Sequence, residues 1–107
     1  MTIKANQRPT ISTGEVRNAA FSFVHSLDTG EVISSSCVTE VTSSDLTLTT
    51  STVNSSAHVI ATTTASSGQA VLVQISGQQA NTLYTLQFKA ITDASQTLVR
   101  HASFWSD

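Results

Sequence analysis

Charged residues, cysteine and proline are all scarce in this chain of 107 residues. Charged side chains make up 11% of it, with five Lys and Arg against seven Asp and Glu and a net charge of −2. Because no basic cluster is present to neutralise phosphates, the sequence predicts no nucleic-acid partner. Cys37 is the only cysteine, so the chain cannot form an internal disulfide, which fits folding in a reducing cytosol.

Long apolar runs are also missing. The first residues, MTIKANQRPTIS, contain no apolar stretch of the kind that a secretory signal has, and no later run reaches membrane-spanning length. The sequence therefore predicts no signal peptide, no transmembrane segment and no membrane partner. The length suits one domain, and a domain of this size buries roughly two-thirds of the surface that its unfolded chain exposes.

Serine and threonine, 17 of each, supply most of the polar side chains. Threonine is β-branched and favours strands, and serine favours turns. A single proline and 39% hydrophobic residues argue against a mucin-like stalk or a disordered chain. Apolar residues are not sustained at helical spacing. The composition predicts an all-β domain whose outer faces carry hydroxyls rather than charges.

Alternation of apolar and polar residues predicts an antiparallel β-sandwich of about seven strands. The clearest strands, QAVLVQIS and TLYTLQFKAIT, place every second apolar side chain on one face. The segment AHVIATTTA predicts one further strand, with either Val59 or Ile60 pointing inward. The side chains that the alternation assigns to the core are Phe21, Phe23, Val71, Val73, Ile75, Tyr84, Leu86 and Phe88.

No linker or change of composition divides the sequence. Residues 1–13 are polar and contain Pro9, so they predict an N-terminal arm or edge segment. Residues 14–107 predict one sandwich domain.

Tyr84 stands near the start of its predicted strand, seven residues after Gly77. The tyrosine corner of immunoglobulin-like domains has this placement: the ring is buried and its hydroxyl bonds to a backbone group just upstream. A simple core tyrosine fits the sequence equally well. Both alternatives bury Tyr84, and neither makes it a binding site.

Three segments combine in an order and spacing known from one protein family. They are a Leu-x-x-Gly-x-x-Ile-x-x-Ser segment, a Leu-Thr stretch, and a strand ending in Ser-Gly that is followed by a Thr-x-Tyr-Thr strand. The matching residues are Leu27, Gly30, Ile33 and Ser36, then Leu46, Thr47 and Leu48, then Ser76, Gly77, Thr82, Tyr84 and Thr85. Through these motifs, residues 14–105 resemble the fiber-tail adaptor proteins of bacteriophage virions.

The resemblance implies an immunoglobulin-like sandwich located in the virion, assembled in the host cytoplasm, that joins neck, tail or fiber proteins. It also implies a homo-oligomer in a ring or collar. Arg100 lies in the last strand, where the family commonly has a basic residue, and Pro9 lies in the polar N-terminal arm. Both residues are therefore interface candidates. The chain departs from the family at Phe23, at Val38 and at Gln78, which replaces a second glycine after Ser-Gly.

The last two predicted strands are joined by a turn at Asp93-Ala94-Ser95-Gln96. A strand of period two can bury only one parity of its side chains. A two-residue turn at Ala94-Ser95 and a turn that differs from it by one pairing step bury opposite faces of the last strand, and the sequence is compatible with both turns. The register more similar to the family buries Phe104, together with Leu98 and Ala102, and leaves Trp105 outside. Trp105 is then the main docking candidate; the alternative is that it caps the open end of the sandwich.

Constellations that could carry chemistry are absent from the sequence. His25, His58 and His101 fall on three different predicted strands without short metal-ligand spacing. No cationic residue adjoins Cys37 in the sequence, so Cys37 is expected to be a small buried side chain rather than a nucleophile. Asn54-Ser55-Ser56 matches the glycosylation pattern only by chance if the chain has no secretory signal. No Gly-x-Ser-x-Gly elbow occurs. The sequence predicts no catalytic residue, no metal site and no cofactor.

These observations favour a non-enzymatic connector in a phage neck or tail, which docks virion proteins through protein contacts. A capsid decoration or head-fiber protein shares the expected fold but has another place in the particle. A carbohydrate- or receptor-binding module is the alternative from a different class, because sandwiches of this size can bind sugars through exposed aromatic rings. An exposed Trp105 would serve either function.

Overall fold

Alternating apolar side chains and frequent β-branched residues make this chain a succession of strands. The computed structural model describes residues 10–60 and 63–107, and this part of the chain contains strands and turns but no helix. The strands are β1 Thr10–Ile11, β2 Arg17–Ser22, β3 Ile33–Glu40, β4 Thr47–Leu48, β5 Thr52–Val53, β6 His58–Ile60, β7 Thr63–Ala65, β8 Ala70–Ser76, β9 Thr82–Thr92 and β10 Thr97–Ser106.

Two sheets pack face to face. One has the strand order β1-β10-β9-β3, and the other has the order β2-β8-β4 with β5 also paired to β8. All pairs within them are antiparallel except that of β1 with β10, which is parallel. In immunoglobulin-like sandwiches, strands B, E and D form one sheet and strands C, F and G the other. Here β2, β8 and β4–β5 take the first set of positions, and β3, β9 and β10 take the second. The predicted fold class is confirmed.

The described residues contain more strands than the seven expected, because the chain between β3 and β8 is divided into four short ones. The prediction of a single strand in AHVIATTTA is wrong. β6 and β7 form a hairpin, in which Ile60 is buried and Val59 is exposed. Ile60 and Ala65 pack against Ala20 and Ala70 on the outer face of the β2–β8 sheet. A small apolar surface on that face therefore favours a covering hairpin, which short-range alternation does not reveal.

The main core lies between the two sheets. The structure buries all eight side chains that the alternation assigned to the core, and it buries Phe104 with them. The ring centroids of Phe21 and Phe88 are 5.1 Å apart, and this pair joins the two sheets. The ring centroids of Tyr84 and Phe104 are 5.4 Å apart on neighbouring strands of one sheet. Burial of one such ring contributes roughly 2–3 kcal/mol to the free energy of unfolding.

Tyr84 forms a tyrosine corner at the start of β9. Its hydroxyl accepts a hydrogen bond of 2.7 Å from the backbone N–H of Gln79, and it donates one of 3.1 Å to a carboxylate oxygen of Asp45. Gly77 turns the chain just upstream with φ +83°, and a Cβ there would lie 2.8 Å from the Asp45 carbonyl oxygen. These contacts favour the tyrosine-corner alternative over a simple core tyrosine.

Gln78 follows the turn at Gly77, and the structure shows what its side chain contacts. The side chain is buried, and its amide nitrogen donates hydrogen bonds of 2.7 Å to the Ser12 carbonyl and 2.9 Å to the Glu15 carbonyl. Residues 12–15 are thereby tied to the corner that precedes Tyr84. On the other side, Thr13 N–H donates to the Asp107 carbonyl at 3.3 Å, so this stretch also follows the end of β10.

Asn54 joins β5, the β6–β7 hairpin and the start of β8. Its side-chain nitrogen donates to the carbonyls of Ser56, Ala65 and Ser66, at 3.0, 3.3 and 2.8 Å. Its side-chain oxygen accepts from the N–H groups of Gln69 and Ala70, at 3.0 and 2.9 Å. The side chain is buried, so the apparent glycosylation pattern at Asn54 does not present an accessible amide.

Replacement of Asn54 by Asp is expected to lower the free energy of unfolding by about 3 kcal/mol at pH 7. The new carboxylate keeps the acceptor but loses the donor, and it faces three carbonyl oxygens in a buried position. Urea unfolding followed by circular dichroism measures the loss. Ser55→Ala is the control, because the exposed neighbour should change stability by less than about 0.5 kcal/mol. Equal effects of both variants would contradict a structural role for the Asn54 amide.

Candidate functional site

The turn between β9 and β10 sets which side chains face solvent. Thr92 N–H donates to the Gln96 carbonyl at 2.9 Å, and Gln96 N–H donates to the Thr92 hydroxyl at 3.2 Å. Between them lies a three-residue loop in which Ser95 has φ 61°, a geometry common in hairpins of this length. The two strands are therefore not joined by a two-residue turn at Ala94-Ser95. They pair one residue away from the register that such a turn would give.

This register pairs Phe104 with Tyr84 and Trp105 with Leu83. Phe104 and Tyr84 face the core, so Trp105 and Leu83 face outward, and each is 38% exposed. Val41 follows β3, and its N–H donates to the Thr85 carbonyl at 3.0 Å, which places Val41 beside the same stretch of β9. Val41 is 51% exposed. We call these three side chains, Val41, Leu83 and Trp105, the Trp105 patch.

Apart from Ile91 and Val99, which are also exposed, the rest of this outer face is polar, and it is almost uncharged. The hydroxyls of Thr85 and Ser103 are hydrogen-bonded across the strands at 2.9 Å, next to the Trp105 patch. Of the outward side chains on β3, β9 and β10, only Lys89 carries a formal charge. These outward side chains are Ser35, Cys37, Thr39, Leu83, Thr85, Gln87, Lys89, Ile91, Thr97, Val99, His101, Ser103 and Trp105.

The other two interface candidates do not join Trp105. Arg100 has the opposite parity on β10, and its guanidinium donates to the Val99 carbonyl at 2.8 Å and to the Ser26 hydroxyl at 3.2 Å. It therefore lies towards the loop that follows β2 rather than on the outer face. Pro9 is outside the described residues.

Residues 41–46 form a hydrogen-bonded loop, which adjoins the Trp105 patch through Val41. The Glu40 carboxylate accepts hydrogen bonds from the Thr42 hydroxyl at 2.7 Å, from the Leu46 N–H at 3.1 Å and from the Ser43 hydroxyl. Partial burial raises the pKa of the Glu40 carboxyl, but the bonds from Ser43, Thr42 and Leu46 outweigh that effect and hold the pKa below its ordinary value of 4.5. One carboxylate thus organises the loop that carries Val41.

A second concave feature lies on the outer face of the other sheet. It is an open cleft of about 430 Å³ between the β4–β5 segment and the β6 end of the hairpin. Ala20 and Leu72 form its apolar floor. Its polar rim consists of Asn18, Thr49, Thr50, Thr52, His58 and Gln74. The cleft contains hydroxyl and amide groups but no carboxylate, so it offers hydrogen bonds and no paired acid and base.

The three histidines lie far apart in the fold. His25 follows β2, His58 is on β6, and His101 is on the outer face of β10. Within residues 10–60 and 63–107, no three His, Cys, Asp or Glu side chains form a group that could hold a metal ion. Cys37 is exposed on β3, beside Lys89 in the pairing register. The expectation that Cys37 is a small buried side chain is therefore wrong, because β3 turns that side chain outward.

Sequence analysis identified Trp105 but missed Val41 and Leu83. Leu83 follows from the same parity argument once the hairpin register is known, since it stands directly opposite Trp105. Val41 joins the patch through the pairing of β3 with β9, to which no local pattern points. No helix long and apolar enough to cross a membrane occurs in the part of the chain that the structure describes. Comparisons with protein-family models, curated proteins and solved structures find no match to this chain.

Replacement of Glu40 by Gln is expected to lower the free energy of unfolding at pH 7 by about 1 kcal/mol. Because the folded-state pKa of Glu40 is lowered, its contribution is present above pH 4.5 and is lost as the pH falls through the folded-state value. The difference between the two proteins should therefore shrink in acid. Urea unfolding at a series of pH values measures it.

Ser43→Ala provides the matched test of this carboxylate. The substitution should destabilise the native protein at pH 7 and have a smaller effect in the Glu40→Gln background, where only the bond that Ser43 accepts from the Asp45 N–H is left to lose. Additive effects would contradict the coupling.

Proposed function

We propose that this protein is a non-enzymatic structural connector of a bacteriophage virion, of the fiber-tail adaptor type. In this role it docks neck, tail or fiber proteins through the outer face of the β1-β10-β9-β3 sheet. The observation that carries the proposal is the Trp105 patch, in which three neighbouring apolar side chains lie exposed on a nearly uncharged sheet. The order of motifs that resembles the adaptor family supports it independently.

The chemistry of this face suits a protein partner. The centres of protein interfaces are depleted in charged residues and enriched in aromatic ones, and they exclude water around a few anchors. Trp105 and Leu83 supply the anchor, and the hydroxyls of Thr85 and Ser103 can form hydrogen bonds at its border. Lys89 is the one formal charge among the outward side chains of β3, β9 and β10, so binding should depend little on salt.

The sandwich itself provides stiffness rather than reactivity. Such a scaffold can hold a surface at a defined angle, and function resides in the surface that it carries. The corner formed by Tyr84, Asp45 and Gly77 holds the loop before β4 against the start of β9. This corner adjoins Leu83 in the chain, so the patch rests on a rigid part of the fold.

Trp105→Ala is expected to weaken binding to isolated neck or tail complexes by at least about 30-fold, the usual effect of removing an interface anchor. Calorimetric titration of the purified chain into those complexes measures the change. Heads and tails separated from purified particles should show the native chain in the tail fraction. A chain found on heads would instead indicate a capsid decoration protein.

Val59→Ala is the matched control for Trp105→Ala. Val59 is 63% exposed on β6, away from the outer face that carries Trp105, so its loss should leave binding unchanged. Both variants should keep the native circular dichroism spectrum. The connector proposal fails if the chain is absent from purified particles and binds none of their proteins.

Carbohydrate binding is the second candidate, and the cleft on the other sheet is the observation that favours it. A volume of about 430 Å³ with an apolar floor and a hydroxyl and amide rim can hold a small neutral sugar. Tyr84 takes no part, because its ring is buried and its hydroxyl is bonded.

Gln74→Trp is the test of the cleft, since the larger side chain would fill it from an exposed position on β8. If the cleft binds a sugar, binding on a glycan array should fall by at least about tenfold in this variant and remain unchanged in Gln79→Trp, which alters an exposed position outside the cleft. The absence of binding by the native chain would remove this candidate.

A further inference from the structure

Strand β3 is an edge of the four-stranded sheet. In the described part of the chain it pairs with β9 on one side and with no strand on the other. It is also long for an edge strand, with eight residues. An unprotected edge of this kind is a template for pairing with another strand.

The middle of β3 lacks the charges and the proline that usually protect an edge; the Ser36 side chain there is hydrogen-bonded through its hydroxyl to that of Ser51, between β4 and β5, at 2.8 Å. A register irregularity falls between Ile33 and Ser35, at the start of the strand, and the carboxylate of Glu40 stands at its end. Between them, Ser35–Thr39 contains no proline and no charged residue. All five residues are small, β-branched or hydroxylated, so this stretch favours extended pairing.

The backbone groups that point away from β9 can be identified from the pairing. Val41 N–H donates to the Thr85 carbonyl, so residues of odd number bond to β9. Successive residues of a strand direct their N–H and carbonyl groups to opposite sides. Ser36 and Val38 therefore direct theirs outward along the free edge. Cys37 lies between them, with its side chain exposed on the outer face.

We propose that two copies of this chain associate through their β3 edges, antiparallel, with the two-fold axis at Cys37. Two identical strands can pair antiparallel about a two-fold axis, so that the free backbone groups of each edge are hydrogen-bonded to the other and neither edge stays open. Centring on Cys37 uses the whole uncharged stretch: Ser36 then pairs with Val38 of the second copy, and Ser35 stands opposite Thr39. It also keeps the two Glu40 carboxylates away from each other. This inference goes beyond the proposed docking function and does not depend on it.

The pairing would join two four-stranded sheets into one. The outer faces would become continuous, and each would bring its own Trp105 patch. Five strand spacings of about 4.8 Å separate the two β10 strands, so the two Trp105 side chains would lie roughly 24 Å apart across the sheet and at opposite ends. Such a dimer would present two equivalent docking sites, and it would be a building block for a larger symmetric assembly.

The register can be tested with the native cysteine. At the two-fold axis, Cys37 and its symmetry mate form a non-hydrogen-bonded pair with Cα atoms about 4.5 Å apart, within the range of a disulfide. Diamide oxidises the two thiols to a disulfide and is itself reduced to the hydrazine. The full chain treated in this way should give a covalent dimer with twice the mass of the 11.3 kDa chain.

Cys37→Ser combined with Thr39→Cys is the matched control. In the proposed register, Thr39 stands opposite Ser35 of the second copy, and the two Thr39 positions are about 13 Å apart. This variant should therefore form at least about tenfold less covalent dimer under the same conditions. Equal yields from both proteins would show random collision and would overturn the register.

Reversible association is tested with two further double variants at exposed positions. Ser35→Lys with Thr39→Lys places like charges opposite each other twice across the axis, and should raise the dimer dissociation constant about tenfold or more. Ser35→Lys with Thr39→Glu places opposite charges there and should retain the native affinity or improve it. Sedimentation velocity from micromolar to millimolar concentration measures both. A native chain that remains monomeric throughout, or equal effects of the two variants, would overturn the proposal.

Discussion

The hydrogen bonds that close the turn between β9 and β10 determine the pairing of the two longest strands, and the rest of the surface depends on that pairing. Thr92 and Gln96 hold a three-residue loop, so residues of the same parity in the two strands share a face. Phe104 and Tyr84 then complete the core, while Trp105 and Leu83 remain outside. A slip of one residue would exchange these sets, so the same turn defines both the packing and the proposed docking surface.

Polar side chains, buried at Asn54 and Gln78 and half-buried at Glu40, tie together segments of a chain that cannot form an internal disulfide. Asn54 satisfies five backbone groups from three segments, and Gln78 ties the residues after β1 to the tyrosine corner. Glu40 does the same for the loop after β3. Each of these side chains joins segments with little regular structure, where backbone groups would otherwise lack partners. Order in the loops therefore depends on a few amide and carboxylate groups.

The surface combines an apolar patch, an open edge and many hydroxyls, and few charges interrupt it. Hydroxyls keep a sheet hydrated without the desolvation cost that charges impose when a partner covers them. The Trp105 patch lies at one end of the sheet, on β9, β10 and the residue after β3, whereas the uncharged edge stretch Ser35–Thr39 lies in the middle of β3. A partner protein and a second copy of the chain could therefore be bound at the same time. This separation suits a connector, which must touch more than one neighbour.

The sequence by itself determined the all-β class and most of the core between the two sheets, because the period-two alternation of Val71, Val73 and Ile75 is a local pattern. It also identified Trp105 as a candidate, but Arg100 proved to face another part of the fold. Only the tertiary structure decided the hairpin register, the separate β6–β7 hairpin and the grouping of Val41 and Leu83 with Trp105. These features depend on contacts between residues distant in the chain. They also depend on which of two registers, one residue apart, the last two strands adopt, and local propensities do not distinguish the two.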